Sequence, residues 1–468
     1  MDFLDDSVAA IAARVRSGQQ SAREVVEHAI GRIEALNPVI NAFVAWDGDR
    51  ALAEAAEIDR RVAAGEDVGP LAGVPVGVKD LEAVRGYVTT FGSALHIEDP
   101  PAEADSVHVA RLRAAGAVIM GKTNTPEYGH KGATDNVPFG QTCNPWSAAH
   151  SPGGSSGGTA AAIAAGMIPL GTGTDGGGSI RILASLCGLT GLKTETARVP
   201  IAGRTMPGSG LLSTNGPMGR TAEDTAVALD AVVGPHGRDP LSLPHPGESW
   251  AERVAARRLP ERVVWSPTMG FADVDTEVAE TCRSAVEALA AAGVDVVEVD
   301  DIFPEDPVTD WLVLWAVARF KAQGHLIGTP QWDDLSESIR PQIEMGAALS
   351  GVDHARAHDR CYELNWRLED AFEQAPFILT PVNAGQTPLL GQDGTINGVA
   401  DVGWVKFTYG INMTRNPAGT ACAGLTSAGT PVGLQVIGQH MDEGGVLELL
   451  ASLEDVIGFA GRPPTIVP

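Results

Sequence analysis

Apolar residues recur at helical spacing through the first 65 positions. Ile11, Ala12 and Val15 share one face, and Val25, Val26, Ile30 and Ile33 repeat the pattern, so this stretch predicts amphipathic helices. Ser21, with Glu24 three residues later, is a capping box marking the start of one of them. The texture changes at Pro70. Val74, Val76 and Val78 alternate with small residues and predict a short buried strand ending at Lys79 and Asp80. A helical pattern over 106–115 leads into the apolar segment 117–120, a β-α-β rhythm that points to an α/β fold. Helices are then predicted over 156–165, 179–187, 222–233, 278–292, 309–325, 354–372 and 445–457. Strands are predicted over 168–170, 294–299, 377–379 and 432–436. The Pro-, Gly- and His-rich stretch 234–246 reads as a linker or excursion, and no internal repeat is present.

Composition narrows the function classes. The chain has 468 residues, 44% hydrophobic and 20% charged, enough to bury a large core in one α/β unit or in two or three average domains. Lys and Arg total 33 against 59 Asp and Glu, a formal charge of −26. Such a field repels phosphate backbones and anionic lipid, so no nucleic-acid or membrane partner is expected. Five scattered cysteines without a CxxC pair fit reduced thiols in a cytoplasm better than disulfides or zinc. The acidic start, Met1 to Asp6, has no signal-peptide character, and no apolar run approaches the ~20 residues of a membrane span.

The chemistry concentrates in two glycine-rich segments: Ser151-Pro152-Gly153-Gly154-Ser155-Ser156-Gly157-Gly158, and Gly173-Thr174-Asp175-Gly176-Gly177-Gly178-Ser179-Ile180-Arg181. A phosphate-cradling loop would need GxxxxGK[ST], and no Lys follows these glycines. A nucleophile elbow, G-x-S-x-G, would make Ser156 the nucleophile and would need a distant His such as His325 or His440. The third reading joins both segments to Gly73-Val74-Pro75-Val76-Gly77-Val78-Lys79-Asp80.

On those three motifs, in that order, the chain resembles the amidase signature family. Gly121-Lys122-Thr123-Asn124, Asn144-Pro145, Gly191-Leu192-Lys193 and Pro431 to Gly438 add to the likeness, which covers nearly the whole chain. The resemblance implies an α/β/α fold with a large mixed central sheet wrapped by helices. It implies amide hydrolysis by Ser179 as nucleophile, Ser155 on a cis peptide as proton relay and Lys79 as base. The chemistry fits those residues. A serine hydroxyl needs a base, and a lysine buried at the end of an apolar strand is pushed toward its neutral form. Gly176, Gly177, Gly178 and Ser179 offer backbone N–H groups for an oxyanion. Asp175 and Arg181 read as a structural ion pair.

Gly154, Thr174, Tyr128 and Trp315 are the expected substrate contacts. Core packing is the default reading of the stripe Trp311, Leu314, Trp315 and Ala318, with an apolar substrate wall as its alternative. His354 and His358, at i and i+4, are the only metal-like pair, and no metal or organic cofactor is expected.

Departures from the family pattern lie at Leu183, Thr194-Glu195 and Ala197, and after Asn416-Pro417-Ala418. One unit over 1–468 is expected: helices over 1–65, the signature core over 66–220, a helical excursion lining the substrate side over 235–350, and a return to the core over 375–468. The substrate is expected to be a small amide (aryl, aliphatic or oligoamide), ester or carbamate, and a homodimer is compatible with the resemblance. The alternative is a glutaminase-type subunit of an amidotransferase complex.

Overall fold

The computed structural model describes residues 1–202 and 210–464. Among them, eleven strands form one mixed sheet. In chain order they are β1 (Phe43–Trp46), β2 (Pro75–Lys79), β3 (Val118–Thr123), β4 (Leu170–Asp175), β5 (Thr190–Lys193) and β6 (Thr214–Gly219). The remainder are β7 (Arg262–Trp265), β8 (Asp295–Glu298), β9 (Phe377–Pro381), β10 (Ala418–Leu425) and β11 (Pro431–Gly438). Their order across the sheet is β1-β3-β2-β4-β6-β5-β10-β11-β9-β7-β8. β3, β2 and β4 run parallel, as do β9, β7 and β8, and the strands between these groups pair antiparallel.

The expected α/β architecture is present, and most predicted elements fall within a few residues of their places. The capping box of Ser21 and Glu24 starts the helix Ala22–Ile40, and Ser106 caps Val107–Ala114. Two expectations change. The strand predicted over 168–170 begins only at Leu170 and runs through Gly171 and Gly173 to Asp175. The stretch 235–350 is not purely a helical excursion, because it supplies β7 and the edge strand β8.

Apolar residues fill both faces of the sheet. One core joins the N-terminal helices to β2, β3 and the closing helix Glu443–Ile457 through residues such as Val25, Val76, Val118 and Leu447. The other gathers Leu212, Trp315, Leu364 and Phe407 beside β7 and β9. β2 is buried at all five positions. Parallel strands deliver their last residues to one edge of the sheet, the usual place for a site in an α/β protein. Here that edge receives Lys79 from β2 and Asp175 from β4.

Candidate active site

Lys79 ends β2 with its side chain wholly buried. Its Nζ donates to Ser155 Oγ at 2.7 Å and to Thr174 Oγ1 at 2.8 Å. Burial lowers its pKa to about 7, although Glu82 and Asp175 pull the other way. Glu82 is itself engaged by His108 Nδ1 at 3.0 Å and by the Asn215 amide at 3.2 Å. Lys122 and Lys193 are equally buried but differently placed. Lys122 is paired with Asp80 at 2.8 Å. Lys193, lowered to about 8 chiefly by burial, donates to the carbonyls of Thr194 and Arg415. A carbonyl cannot pass a proton on. Lys79 alone of the three touches a pair of hydroxyls and has no ion pair among the described residues.

Ser155 lies in the turn before the helix Gly157–Ala164, and the Gly154–Ser155 peptide is cis. Gly154 has no room for a side chain: a Cβ there would sit 2.7 Å from Lys131 O and 2.8 Å from Ala133 N. Ser156 is fully buried and donates to the Ser179 carbonyl at 2.6 Å, while its Oγ accepts from Thr174 N–H at 3.3 Å. Its hydroxyl thus ties the two glycine-rich loops together, and no His bonds it among the described residues.

Ser179 stands between β4 and the helix Arg181–Cys187, half-buried. The loop before it is built around Asp175, whose carboxylate accepts from the N–H groups of Gly178 (2.7 Å) and Ile180 (3.2 Å), from Arg181 (3.0 Å) and from Asn412 (2.8 Å). Burial opposes its charge. Arg181 and these hydrogen bonds outweigh that and hold the carboxyl far below the usual range. The expected structural pair of Asp175 and Arg181 is present.

The same contact corrects one expectation: the Gly178 N–H is spent on Asp175 and is not open to an oxyanion. The N–H groups of Gly176, Gly177 and Ser179 make no hydrogen bond among the described residues. The carbonyls of that segment are held from behind, Gly176 O by Trp311 Nε1 at 2.9 Å and Gly177 O by Thr408 Oγ1 at 2.6 Å.

Trp315 is buried and stacks on Trp311, ring centroids 5.2 Å apart, and a Cβ on Gly176 would meet its ring at 2.9 Å. The tryptophan stripe is thus core and site backing at once. Tyr128, at φ +50°, lies one residue before Gly129, which adjoins Ser155, and its hydroxyl is 3.0 Å from His96 Nε2. Arg319, which no sequence motif marks, stacks on Trp315 at 4.6 Å and donates to Tyr128 O at 3.1 Å. Thr408 and Asn412 are equally invisible to sequence patterning, because their partners lie more than 200 positions away. His354 and His358 meet edge to face at 4.7 Å, and no metal-binding group of three His, Cys, Asp or Glu exists among the described residues.

The family model described as Amidase matches residues 24–447. The chain belongs to the amidase signature family. It is 38% identical to an acylamidase of Rhodococcus erythropolis over 98% of this chain and 97% of that protein. It is 32% identical to one subunit of the glutamyl-tRNA(Gln) amidotransferase of Synechococcus, covering 99% of each. The crystal structure of a bacterial aryl acylamidase of the amidase signature family superposes with a TM-score of 0.91 at 30% identity, covering 98% of this chain and 99% of that one. As a member of this family the chain is an amide-hydrolysing enzyme. No helix among the described residues is long and apolar enough to cross a membrane.

Proposed function

We propose that the protein cleaves small acyl amides, aryl amides first among them, through an acyl-enzyme on Ser179. Ser179 Oγ attacks the carbonyl carbon and passes its proton to Ser155, which passes its own to neutral Lys79. The oxyanion lies against the N–H groups of Gly176, Gly177 and Ser179. The proton returns through Ser155 to the departing amine, and water then releases the carboxylic acid by the reverse relay. The observation that carries this reading is Lys79: buried, bonded to Ser155, and touching two hydroxyls where Lys122 has a carboxylate. The acyl-amide preference rests on similarity to the two acylamidases.

The test is the purified chain alone against anilides, aliphatic amides, a linear and a cyclic oligoamide, esters and carbamates. Anilide turnover that disappears in Ser179→Ala, with a serine-reactive probe labelling Ser179, is the expected result. Labelling of Ser156 would sink the triad. Silence toward every amide, with activity appearing only beside partner subunits, would favour the glutaminase reading that the amidotransferase relative keeps open.

A further inference from the structure

Three helices, Val308–Gln323, Gly351–Phe372 and Lys406–Thr414, line with the turn Gly210–Leu212 a cavity of about 170 Å³. None of Lys79, Ser155 and Ser179 lines it. Its lining includes the apolar Leu212, Leu314, Val317 and Met413 and the basic Lys321, His354, His358 and Arg415. Among the described residues no Asp or Glu lines this cavity, although the chain carries 59 of them and a net charge of −26.

Arg415 is the decisive residue. Its half-buried guanidinium makes no ion pair and no hydrogen bond among the described residues. Its backbone is left-handed, φ +70°, at the end of the helix Lys406–Thr414. The ends of Arg181–Cys187 and Glu443–Ile457 use Gly188 and Gly458 in that conformation, at φ 67° and 64°. A side chain there costs on the order of 1 kcal/mol or more, and no carboxylate among the described residues pairs with the charge it brings. The ring nitrogens of His354 and His358 also make no hydrogen bond among the described residues. Burial, then the positive neighbours His354 and Arg415, lowers the pKa of His358, a repulsion that an anion would relieve.

We propose that this cavity is a second ligand site, which binds an organic carboxylate with an apolar body. The guanidinium fork of Arg415 takes the carboxylate in bidentate fashion beside the histidine pair, and the tail lies along Leu314, Val317 and Met413. Asn412 forms the partition. It lines the cavity while its amide holds the Asp175 carboxylate at 2.8 Å. The site does not depend on the catalytic reading. The acid released from an amide and an unrelated fatty or aryl acid share this chemistry, and the experiment separates them.

Titration calorimetry on the full chain, with octanoate, 4-phenylbutyrate and the acid product of the best amide substrate, tests the proposal. Octanol and octylamine serve as neutral and cationic controls. One carboxylate per chain is expected, bound roughly 10–100-fold more tightly than either control and weakened by a like factor in Arg415→Gly. Anilide turnover should persist in that variant. Glycine suits the left-handed backbone, so its melting temperature should not fall, and His358→Gln provides a second weakened variant. Tightest binding of the product acid identifies the source as product, and tightest binding of octanoate as a separate metabolite. Unchanged affinity in both variants, octanol binding as well as octanoate, or no heat from wild type at roughly 5 mM ligand would each overturn the proposal.

Discussion

Lys79 separates a readable residue from a readable role. Its place after an apolar strand was evident in the sequence, and so was the expectation of a lowered pKa. With that pKa at about 7, the Lys79 amine is half-protonated near neutrality. For amide hydrolysis, kcat/KM should therefore rise with pH through about 7 and level off above it, because only the neutral amine accepts a proton. A profile rising instead through the lysine range near 10.5 would mean that burial does not tune this group. Lys79→Arg should not rescue Lys79→Ala, since a guanidinium stays charged, and activated esters should suffer less than anilides. The sign for stability follows from the same shift. Between about pH 7 and 10.5 the unfolded chain holds a proton that the folded Lys79 lacks, so this group favours folding more as pH rises through that window. Asp175 works oppositely. Its depressed pKa contributes stability above its unfolded value of 3.8, which is lost as pH falls through the folded one. Asp175→Asn leaves Arg181 buried without its charge partner and should cost about 3–5 kcal/mol in urea unfolding.

At the scale of elements, the valine-rich strand and the capped helices were legible because their periodicity agrees with their burial. β4 was not. Gly171 and Gly173 weaken a strand pattern, yet pairing with β2 and β6 holds Gly171 extended and pairing with β6 holds Gly173. Their small size is a packing demand: a Cβ on Gly171 would lie 2.5 Å from Thr159 Cγ2. The loop after β4 obeys the same logic. Gly178 has φ +127°, and a Cβ there would reach within 2.4 Å of Thr408 Oγ1. Gly178→Ala should thus displace the Thr408 clamp and reduce kcat by about 10²-fold, with far-UV CD showing an intact fold. Trp311→Phe keeps an aromatic ring, though a smaller one, but removes the donor to Gly176 O, and should lower kcat more than it changes KM. Equal effects on both would make Trp311 a substrate wall instead.

For the whole molecule, the order of strands was beyond sequence patterning. β10 lies next to β5, more than 200 positions earlier, through pairs such as Gly419 with Leu192. Such neighbours follow from how sheet faces are covered, not from local propensity. The formal charge of −26, by contrast, was available at once. Self-repulsion of that size is screened over about 8 Å at 0.15 M salt. Adding a few tenths molar of a weakly binding salt should therefore raise the melting temperature. A melting temperature independent of salt would mean that paired charges already neutralise the surface locally.

The sequence by itself determined which chemical groups the chain owns and roughly where they leave regular structure: a lysine closing an apolar strand, and serines framed by glycines too small to block backbone contact. It also determined the helix caps and the acidic field, because these depend on near neighbours or on simple sums. Tertiary structure alone decided which group does what. The partners of Lys79 are 76 and 95 positions away, and they, with complete burial, bring its pKa to about 7. Long-range contacts also turned Ser156 into a brace and withdrew the Gly178 N–H from service. They left the Arg415 guanidinium at a cavity wall without an ion pair among the described residues. Desolvation and hydrogen-bond partnership are properties of surroundings, and for a buried residue those surroundings come from distant parts of the chain.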